Sequence, residues 1–347
     1  MHKSFVRIAQ RAFNLSLIII TLLALPATAK ADAIFGCPLG LPKGKLWLKK
    51  TFSCVKASQV YALQDTNSNP QMIPLNDSTH MQKQSIKIRI GYGVTNWFDV
   101  GVFIPYVIKD MEFYGYKSSP VNGKIVSKHK IVKTSGFEDI WFSGKIKLLG
   151  HHSLLHPSDK GWLESIALAT AYKPPTAGDD QVCRGLGSGS HDVKVGLLVH
   201  NKVAENLHMC SHFTYQYTGK VRDIYMRNHI TGGPYPGVPK VQLWPKSGWN
   251  LGDKITYKLA FEYELGKYFA VAIAANGWMH FKDIDNMGIT KKGSTRYQHA
   301  VTPKVEFAPF GDKRSHTKLV MGIKIPYIYK TDFHAPFIPM LTTMWTF

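Results

Sequence analysis

Basic side chains recur at alternate positions in segments whose other positions are apolar. In Ser85–Tyr92, Lys87 and Arg89 alternate with isoleucines, and Lys145 and Lys147 occur in the same pattern further on. Because neighbouring residues of a β-strand point to opposite faces, each segment predicts a strand with one apolar and one basic face. Rows of Lys and Arg facing a pore favour anions. The residues predicted to form this inward, solute-binding face are Lys87, Arg89, Lys145, Lys147, Lys194, Lys258 and Lys324.

The predicted basic face carries a net positive charge even when its acidic residues are included. Glu262, Glu264 and Glu306 share its parity, and the cations outnumber them. A Lys on the lipid side near the membrane midplane costs about 2–4 kcal/mol, which favours an inward orientation for the basic face. Small anions, including aromatic carboxylates, are therefore the predicted solutes. The alternative is that these lysines are solvated and balanced by acids in the loops.

Other clusters of reactive residue types are expected to be structural. The glycine run lacks the strand–loop–helix context of a phosphate site and predicts an outer loop. The histidine cluster falls in a predicted turn, and the acid pairs fall at strand ends, so solvated positions are expected for both. These groups are Gly185, Gly187 and Gly189; His151, His152 and His156; and the pairs Glu138-Asp139 and Asp179-Asp180.

Two adjacent Ser-His pairs do not predict a catalytic dyad. Ser190-His191 and Ser211-His212 lie in predicted strands or at their starts, where neighbouring side chains point to opposite faces. An outer-membrane phospholipase with about twelve strands is the enzyme alternative, but nothing resembles its catalytic strand. We therefore predict no enzyme activity, no catalytic residue, no cofactor and no metal.

The start of the chain predicts export. Residues 1–29 combine basic residues, an apolar stretch and small residues suited to cleavage, as a secretory signal peptide does. We expect residues 30–44 to be a periplasmic segment and residues 45–347 to form one membrane domain. The formal charge of +20 would suit nucleic acid in the cytosol, but export and the lack of a recognition motif exclude that partner.

The cysteines of an exported chain are expected to form disulfides. The sequence has 4 cysteines, Cys37, Cys54, Cys183 and Cys210, and an oxidising compartment favours their pairing. Three connectivities are possible. We predict Cys37–Cys54, which closes the shortest loop and would pin the N-terminal segment. Cys183–Cys210 would then require an outer loop to fold into the barrel.

About twelve segments show the period-2 alternation of strands. Their connections alternate between short and long, as in outer-membrane barrels with short periplasmic turns and long outer loops. Tyr and Trp collect near strand ends, where an interfacial girdle is expected. No apolar run after the signal is long enough for a membrane helix. The prediction is an all-β, transmembrane, antiparallel up-and-down barrel with about 10 to 14 strands and both termini in the periplasm.

The last predicted strand, Pro336–Phe347, has one side formed by Leu341, Thr343, Trp345 and Phe347. This alternation suits a strand with one face in lipid. The strand resembles the C-terminal strand that outer-membrane barrels present to their assembly machinery. That resemblance implies that Trp345 and Phe347 act as an assembly signal and that the assembly machinery is a partner.

Several motifs occur in the order found in one barrel family. They are a Gly-x-x-Asp strand opening, a Lys-Pro turn that ends in Gly-Asp, and a Gly-x-Gly-Ser loop that enters a strand. The chain resembles the phenol meta-pathway degradation-like transporter family of outer-membrane proteins, which implies a barrel that passes small aromatic compounds. It departs from that pattern in its cysteines, its histidine-rich turn and a long Pro-rich loop. The motif segments are Tyr92–Val102, Gly136–Lys145, Leu168–Asp179, Gly185–Val193 and Leu207–Gly219.

The sequence therefore predicts an outer-membrane transporter or selective channel for small, anionic or aromatic solutes. Its expected partners are membrane lipid, the barrel assembly machinery and the solute. The alternative from another class is a non-conducting barrel that recognises a partner through its outer loops. The segment Thr231–Pro245, rich in Pro and Gly with Tyr235 and Trp244, would suit such contacts.

Overall fold

The computed structural model describes residues 40–57, 59–62, 71–74, 80–118, 125–150, 153–155, 163–178, 186–221, 249–284, 288–290, 294–309, 317–330 and 333–347. The predicted signal peptide, Cys37, Cys183 and the histidines of the predicted turn lie outside these residues. Most of the predicted loop at Thr218–Asn250 does too.

All regular elements of the described residues are β-strands. Among those residues, no helix is long and apolar enough to cross a membrane. The strands are β1 (Leu46–Ala57), β2 (Gln59–Ala62), β3 (Gln71–Pro74), β4 (His80–Gly93), β5 (Phe98–Ser118), β6 (Ile125–Phe137), β7 (Trp141–Gly150), β8 (Leu163–Lys173), β9 (Ser190–Ala204), β10 (Leu207–Val221), β11 (Lys254–Leu265), β12 (Phe269–His280), β13 (Arg296–Phe307), β14 (Thr317–Lys330), β15 (Phe333–His334) and β16 (Ile338–Thr346).

The main sheet closes into an antiparallel barrel. Its strand order is β4-β1-β16-β14-β13-β12-β11-β10-β9-β8-β7-β5-β6, and an additional pairing of β4 with β5 closes the circle. The strands β6 and β7 pair with successive parts of the long strand β5 and so occupy one position in the wall. The wall therefore has 12 strand positions, which confirms the predicted fold class.

The two ends of the barrel differ in their connections. Both chain ends of the wall meet at one end, where Leu46 and Phe347 exchange backbone hydrogen bonds of 3.2 and 2.8 Å. The compact connections, such as Gly93 to Phe98 and Ala204 to Leu207, lie at that same end, which we call the short-turn end. The opposite end, called the long-loop end, carries β2, β3 and β15 as a separate sheet and the outer parts of β5 and β6. Most connections follow the predicted alternation of short and long, whereas the β7–β8 connection at the short-turn end spans residues 151–162.

The outer surface of the wall is apolar. Along β9, Val193, Val195 and Leu197 are exposed, while the residues between them are buried or half-buried. Aromatic residues predicted for the interfacial girdle also face outward: Tyr92, Tyr172, Tyr215, Tyr217, Tyr263 and Tyr327. Such a surface is stable only against lipid, so the barrel spans a membrane.

Basic side chains also occur on the outer parity of β1, at Lys50 and at the exposed Lys56 near the long-loop end. Lys50 lies between Leu48 and Phe52 on the outer parity of β1, opposite Ile88 of β4 and Thr343 of β16. The flexible stem of a lysine lets its amine reach toward the polar membrane boundary.

Candidate functional site

The structure places every residue of the predicted basic face on the inner parity of the wall. Lys194 lies between outward Val193 and Val195, and Lys324 lies between outward Ile323 and Ile325. Inside the barrel these residues do not share one environment. Some meet aromatic rings near the long-loop end, and others are buried near the short-turn end. The binding role of this face stays a prediction.

Several inward cations lie over inward aromatic rings. The Nζ of Lys194 lies 3.7 Å from the ring centre of Trp141. The guanidinium carbon of Arg89 lies 4.9 Å from that of Phe103. A cation over an aromatic face is attracted by the ring quadrupole, which holds the charge in place. Lys254 stacks in the same way on Trp278, at 4.6 Å.

These cations come from different strands of the wall and lie close enough to interact across the interior of the barrel. Lys254 on β11 interacts electrostatically with Lys324 on β14 and with Lys87 on the opposite strand β4. Lys194 on β9 interacts with Lys254 and with Arg89. We call Lys87, Arg89, Lys194, Lys254 and Lys324 the cation ring. Like charges that face one passage add to a single positive field.

Next to the cation ring, one lysine is fully balanced by acids. The Nζ of Lys173 lies 2.7 Å from Asp192 and 3.6 Å from Asp139. Asp139 also accepts hydrogen bonds from the backbone N–H groups of Ala177 and Ser188, at 3.0 and 2.7 Å. The sequence prediction that the Glu138-Asp139 pair lies at a solvated strand end is wrong for Asp139, which is 2% exposed. Asp139 therefore ties the connection between β6 and β7 to the connection between β8 and β9.

The glycine run is part of the same cluster. Gly187 has a φ of 85°, and a Cβ there would lie 2.7 Å from the Cβ of Ala177. Only glycine fits this close approach in the left-handed region. The neighbouring Leu186 and Ser190 are buried, so the described part of the predicted outer loop packs into the barrel.

The residues that precede β1 contact inward side chains at the short-turn end. The backbone N–H of Leu41 donates a 3.0 Å hydrogen bond to Asp99, whose side chain faces inward. Leu41 itself packs with the buried Trp47. A Cβ on Gly40 would lie 3.4 Å from both Asp99 and Lys147. Residues 40–44, called the N-terminal segment, therefore enter the mouth of the barrel at this end.

Lys145 and Lys147 lie beneath that segment. Lys145 forms a 3.2 Å ion pair with its cross-strand neighbour Asp99, and both side chains are 1% exposed. Lys147 is also buried. Both lysines face inward, as predicted from the sequence. Their surroundings differ from those of the cation ring, because Lys145 is already balanced by a carboxylate.

The described cysteines form no disulfide with each other. Cys54 lies on the outer parity of β1, and Cys210 faces inward on β10. From Gly40, Cys37 reaches at most about 10 Å, whereas Cys54 is about 26 Å along β1 from Leu46. The Cys37–Cys54 pairing stays a prediction, and this geometry opposes it. A Cys183–Cys210 pairing also stays untested, because Cys183 lies outside the described residues.

Sequence reasoning missed the aromatic partners of the cations. Trp141 has the same parity as Lys145, and Trp278 has the parity that faces inward on β12, so alternation alone could have placed both. Lys254 was missed because it is the first residue of its strand. The stacking itself depends on which strands are neighbours, and one segment does not contain that information.

Neither Ser-His pair brings its two side chains together. His191 faces outward, where its Nδ1 lies 2.7 Å from the hydroxyl of Tyr172, while Ser190 is buried. Ser211 and His212 fall on opposite parities of β10.

Comparison with known proteins supports the fold. No protein-family model matches the sequence, and the search of curated proteins found no match. The crystal structure of the COG4313 outer membrane channel from Pseudomonas putida F1 is similar, with a TM-score of 0.62 and 12% identity over 91% of this chain and 100% of that chain. At this identity the likeness shows the fold alone. The chain thus has the fold of an outer-membrane channel barrel.

Two further solved structures are more distant. The CymD monoaromatic hydrocarbon channel has a TM-score of 0.41 and 8% identity over 93% of this chain and 94% of that chain. The toluene transporter TbuX of Ralstonia pickettii has a TM-score of 0.38 and 9% identity over 92% and 94%. Scores below 0.5 carry no argument about this chain. The closed wall, its apolar outer surface and the first likeness together place the protein in a bacterial outer membrane.

Proposed function

We propose that the protein is a selective outer-membrane channel for small anions, with aromatic carboxylates among its solutes. The observation that carries this proposal is the convergence of the cation ring from opposite walls. A barrel of twelve strands lies between the filled barrels of about eight strands and the open pores of about sixteen. A positive constriction is therefore enough to select solutes by charge.

The aromatic rings beneath the cations extend the proposal to aromatic anions. Trp141 and Trp278 present ring faces inside the barrel beside Lys194 and Lys254. A benzoate-like solute would pair its carboxylate with a lysine and stack its ring on the adjacent indole. Both parts of such a solute thus meet a matching surface, whereas a neutral phenol lacks the charge.

The orientation of the barrel is also part of the proposal. With both termini in the periplasm, the N-terminal segment would narrow the periplasmic mouth and the cation ring would lie nearer the cell surface. A solute from outside would then reach the cations before it passes the N-terminal segment.

The test is the reversal potential of the purified protein in a planar bilayer under a salt gradient. Wild type is expected to be anion-selective. The double variant Lys87→Glu with Lys254→Glu, which reverses both charges, should shift selectivity toward cations. The matched control reverses two exposed lysines at short turns, Lys202→Glu with Lys267→Glu, and should shift it much less. Cation selectivity in wild type, or equal shifts in both double variants, would refute the ring as the selectivity filter. A folded barrel without conductance would favour the recognition barrel.

The solute class has its own measurement. Benzoate should reduce the ionic current at lower concentration than acetate, and Trp278→Leu should weaken the benzoate effect by about two- to fivefold while keeping anion selectivity. Equal block by both acids would remove the aromatic part of the proposal and leave the anion part intact.

A further inference from the structure

Two histidines and a glutamate meet inside the barrel near the short-turn end. The Nδ1 of His200 lies 2.7 Å from Oε2 of Glu164, and the Nδ1 of His208 lies 3.6 Å from the same oxygen. The two imidazole rings are stacked, with centres 5.3 Å apart and planes 8° apart. One donor atom from each residue lies within 4.8 Å of the other two. We call these residues the His-Glu cluster.

The strands hold this cluster in place. Glu164 is on β8, His200 on β9 and His208 on β10, which are three adjacent strands of the wall. The register between β8 and β9 shifts at Leu163 and Ser165, and this irregularity falls at Glu164. Glu164 follows the outward parity of the rest of β8, so the irregularity turns its carboxylate toward the inward histidines.

The donor set fits a divalent transition ion. Imidazole nitrogens and a carboxylate oxygen are the ligands of many three-residue zinc sites, with bond lengths of about 2.0–2.2 Å. Two such donors on one tetrahedral ion lie about 3.4 Å apart. The 3.6 Å between Glu164 and His208 is already near this value. The 2.7 Å between Glu164 and His200 is a hydrogen-bond distance that a small side-chain rotation would open.

The surroundings of His208 favour metal binding over an ordinary ion pair. Its Nδ1 is buried and makes no hydrogen bond to any part of the chain that the structure describes. Its other ring nitrogen, Nε2, lies 3.8 Å from Oε1 of Glu264 on β11. A metal-bound histidine typically donates its second ring N–H to a carboxylate, which fixes the ring and raises its basicity. A small rotation would bring Glu264 within hydrogen-bond distance of Nε2, where it would act as a positioning residue for His208.

We infer that Glu164, His200 and His208 form a binding site for a divalent transition ion such as Zn²⁺. This goes beyond the proposed function, because the cluster lies away from the cation ring and its test does not need conductance. It also departs from the sequence expectation of no metal, which considered only the histidines of the predicted turn. A bound ion would cross-link β8, β9 and β10 and stabilise the short-turn end.

The experiment uses the full-length protein, purified in detergent and stripped of metal. Isothermal titration with Zn²⁺ is expected to give one ion per chain, and Co²⁺ should give the visible absorption of a low-coordinate site. Glu264→Gln should weaken binding about 10- to 100-fold, as loss of an outer carboxylate does. His200→Ala and His208→Ala should each weaken it more.

Matched controls separate the site from incidental binding. His299→Ala removes a histidine on the outer parity, next to Tyr257, and Cys210→Ser removes the thiol across the strand pair from His200. Both variants should bind Zn²⁺ as wild type does. The assignment would be overturned if either control lost as much Zn²⁺ affinity as the site variants do. Unchanged Zn²⁺ binding in both His200→Ala and His208→Ala would also overturn it.

A measurement on the wild-type protein tests the inference even if the variants fail to fold. Bound Zn²⁺ should protect His200 and His208, but not His299, from modification by diethyl pyrocarbonate, as read by mass spectrometry. Absence of both protection and calorimetric binding would leave the cluster as two stacked histidines beside Glu164 and overturn the inference.

Discussion

The ion pair of Asp99 with Lys145 shows how much one inward position depends on its cross-strand neighbour. The two residues face each other directly on β5 and β7, and neither reaches water. Asp99 also accepts the backbone hydrogen bond from Leu41, so it connects the wall to the N-terminal segment. Removing one member of a buried pair leaves the other charge without compensation.

The first prediction concerns this pair. Asp99→Asn should lower the free energy of unfolding by about 3–5 kcal/mol, because it leaves the buried Lys145 uncompensated. Urea unfolding followed by tryptophan fluorescence measures the change. The control is Asp110→Asn, which breaks a 3.3 Å pair with Lys133 whose side chains are 33% and 71% exposed. That loss should be below about 1 kcal/mol. Equal losses in the two variants would contradict the role given to burial.

The N-terminal segment is an element held at the barrel mouth by backbone contacts. Gly44 donates a 2.8 Å hydrogen bond to Gly93, and Lys43 donates one of 2.9 Å to the side chain of Asn96. The close approach needs glycine at position 93, because a Cβ there would lie 2.2 Å from the carbonyl oxygen of Pro42. The N-terminal segment thus packs against the turn between β4 and β5.

The second prediction follows from the contact between the N-terminal segment and the β4–β5 turn. Gly93→Ala should displace the N-terminal segment and raise the single-channel conductance, because less of the mouth is filled. Gly144→Ala adds the same methyl group at a site where the Cβ would make ordinary contacts with the ring of Phe98, at 3.4 Å, and with Oγ1 of Thr170, at 3.8 Å, and should leave conductance unchanged. If both variants conduct as wild type does, the segment does not limit the pore.

The third prediction concerns the end of β16. Phe347→Ala should reduce the amount of heat-modifiable barrel in the membrane, as expected for loss of an assembly signal. The side chain of Phe347 is exposed, while its backbone N–H and C=O bond to Leu46, so the substitution removes the ring and keeps the closing bonds. Leu341→Ala removes an outward apolar side chain from the same face and should assemble normally. Normal assembly of Phe347→Ala would leave Trp345 and Phe347 without a signalling role.

At the scale of the whole molecule, orientation in the membrane decides which solutes meet the cation ring first. The short-turn end contains both chain ends of the wall and the N-terminal segment. Outer-membrane barrels place short turns in the periplasm, so we expect the long-loop end to face the outside.

The fourth prediction tests that orientation. An epitope tag inserted near Gly237, in the loop beyond the described residues, should bind antibody on intact cells. A tag near Ser153, in the connection that follows β7, should bind only after the outer membrane is opened. The reverse pattern would show that the barrel is inverted relative to this proposal.

The sequence by itself determined the strands of the wall, the sorting of short and long connections and the inner or outer parity of most side chains. Alternation between lipid and lumen is local, so each strand displays it without its neighbours. The strand β6 was not predicted from the sequence, because this alternation is required only where a strand crosses lipid. Ile125–Phe137 pairs only with the outer part of β5, where no lipid-facing apolar row is required.

Contacts between strands were decided only by the tertiary structure. The pairing of Asp99 with Lys145 and the stacking of Lys194 on Trp141 depend on strand register. The meeting of Glu164 with His200 depends on register and also on a strand irregularity. Closure of the wall also brings Lys87 and Lys254 from opposite sides into one field. The physical reason is that register and closure are properties of the whole sheet, and no single segment of sequence specifies either one.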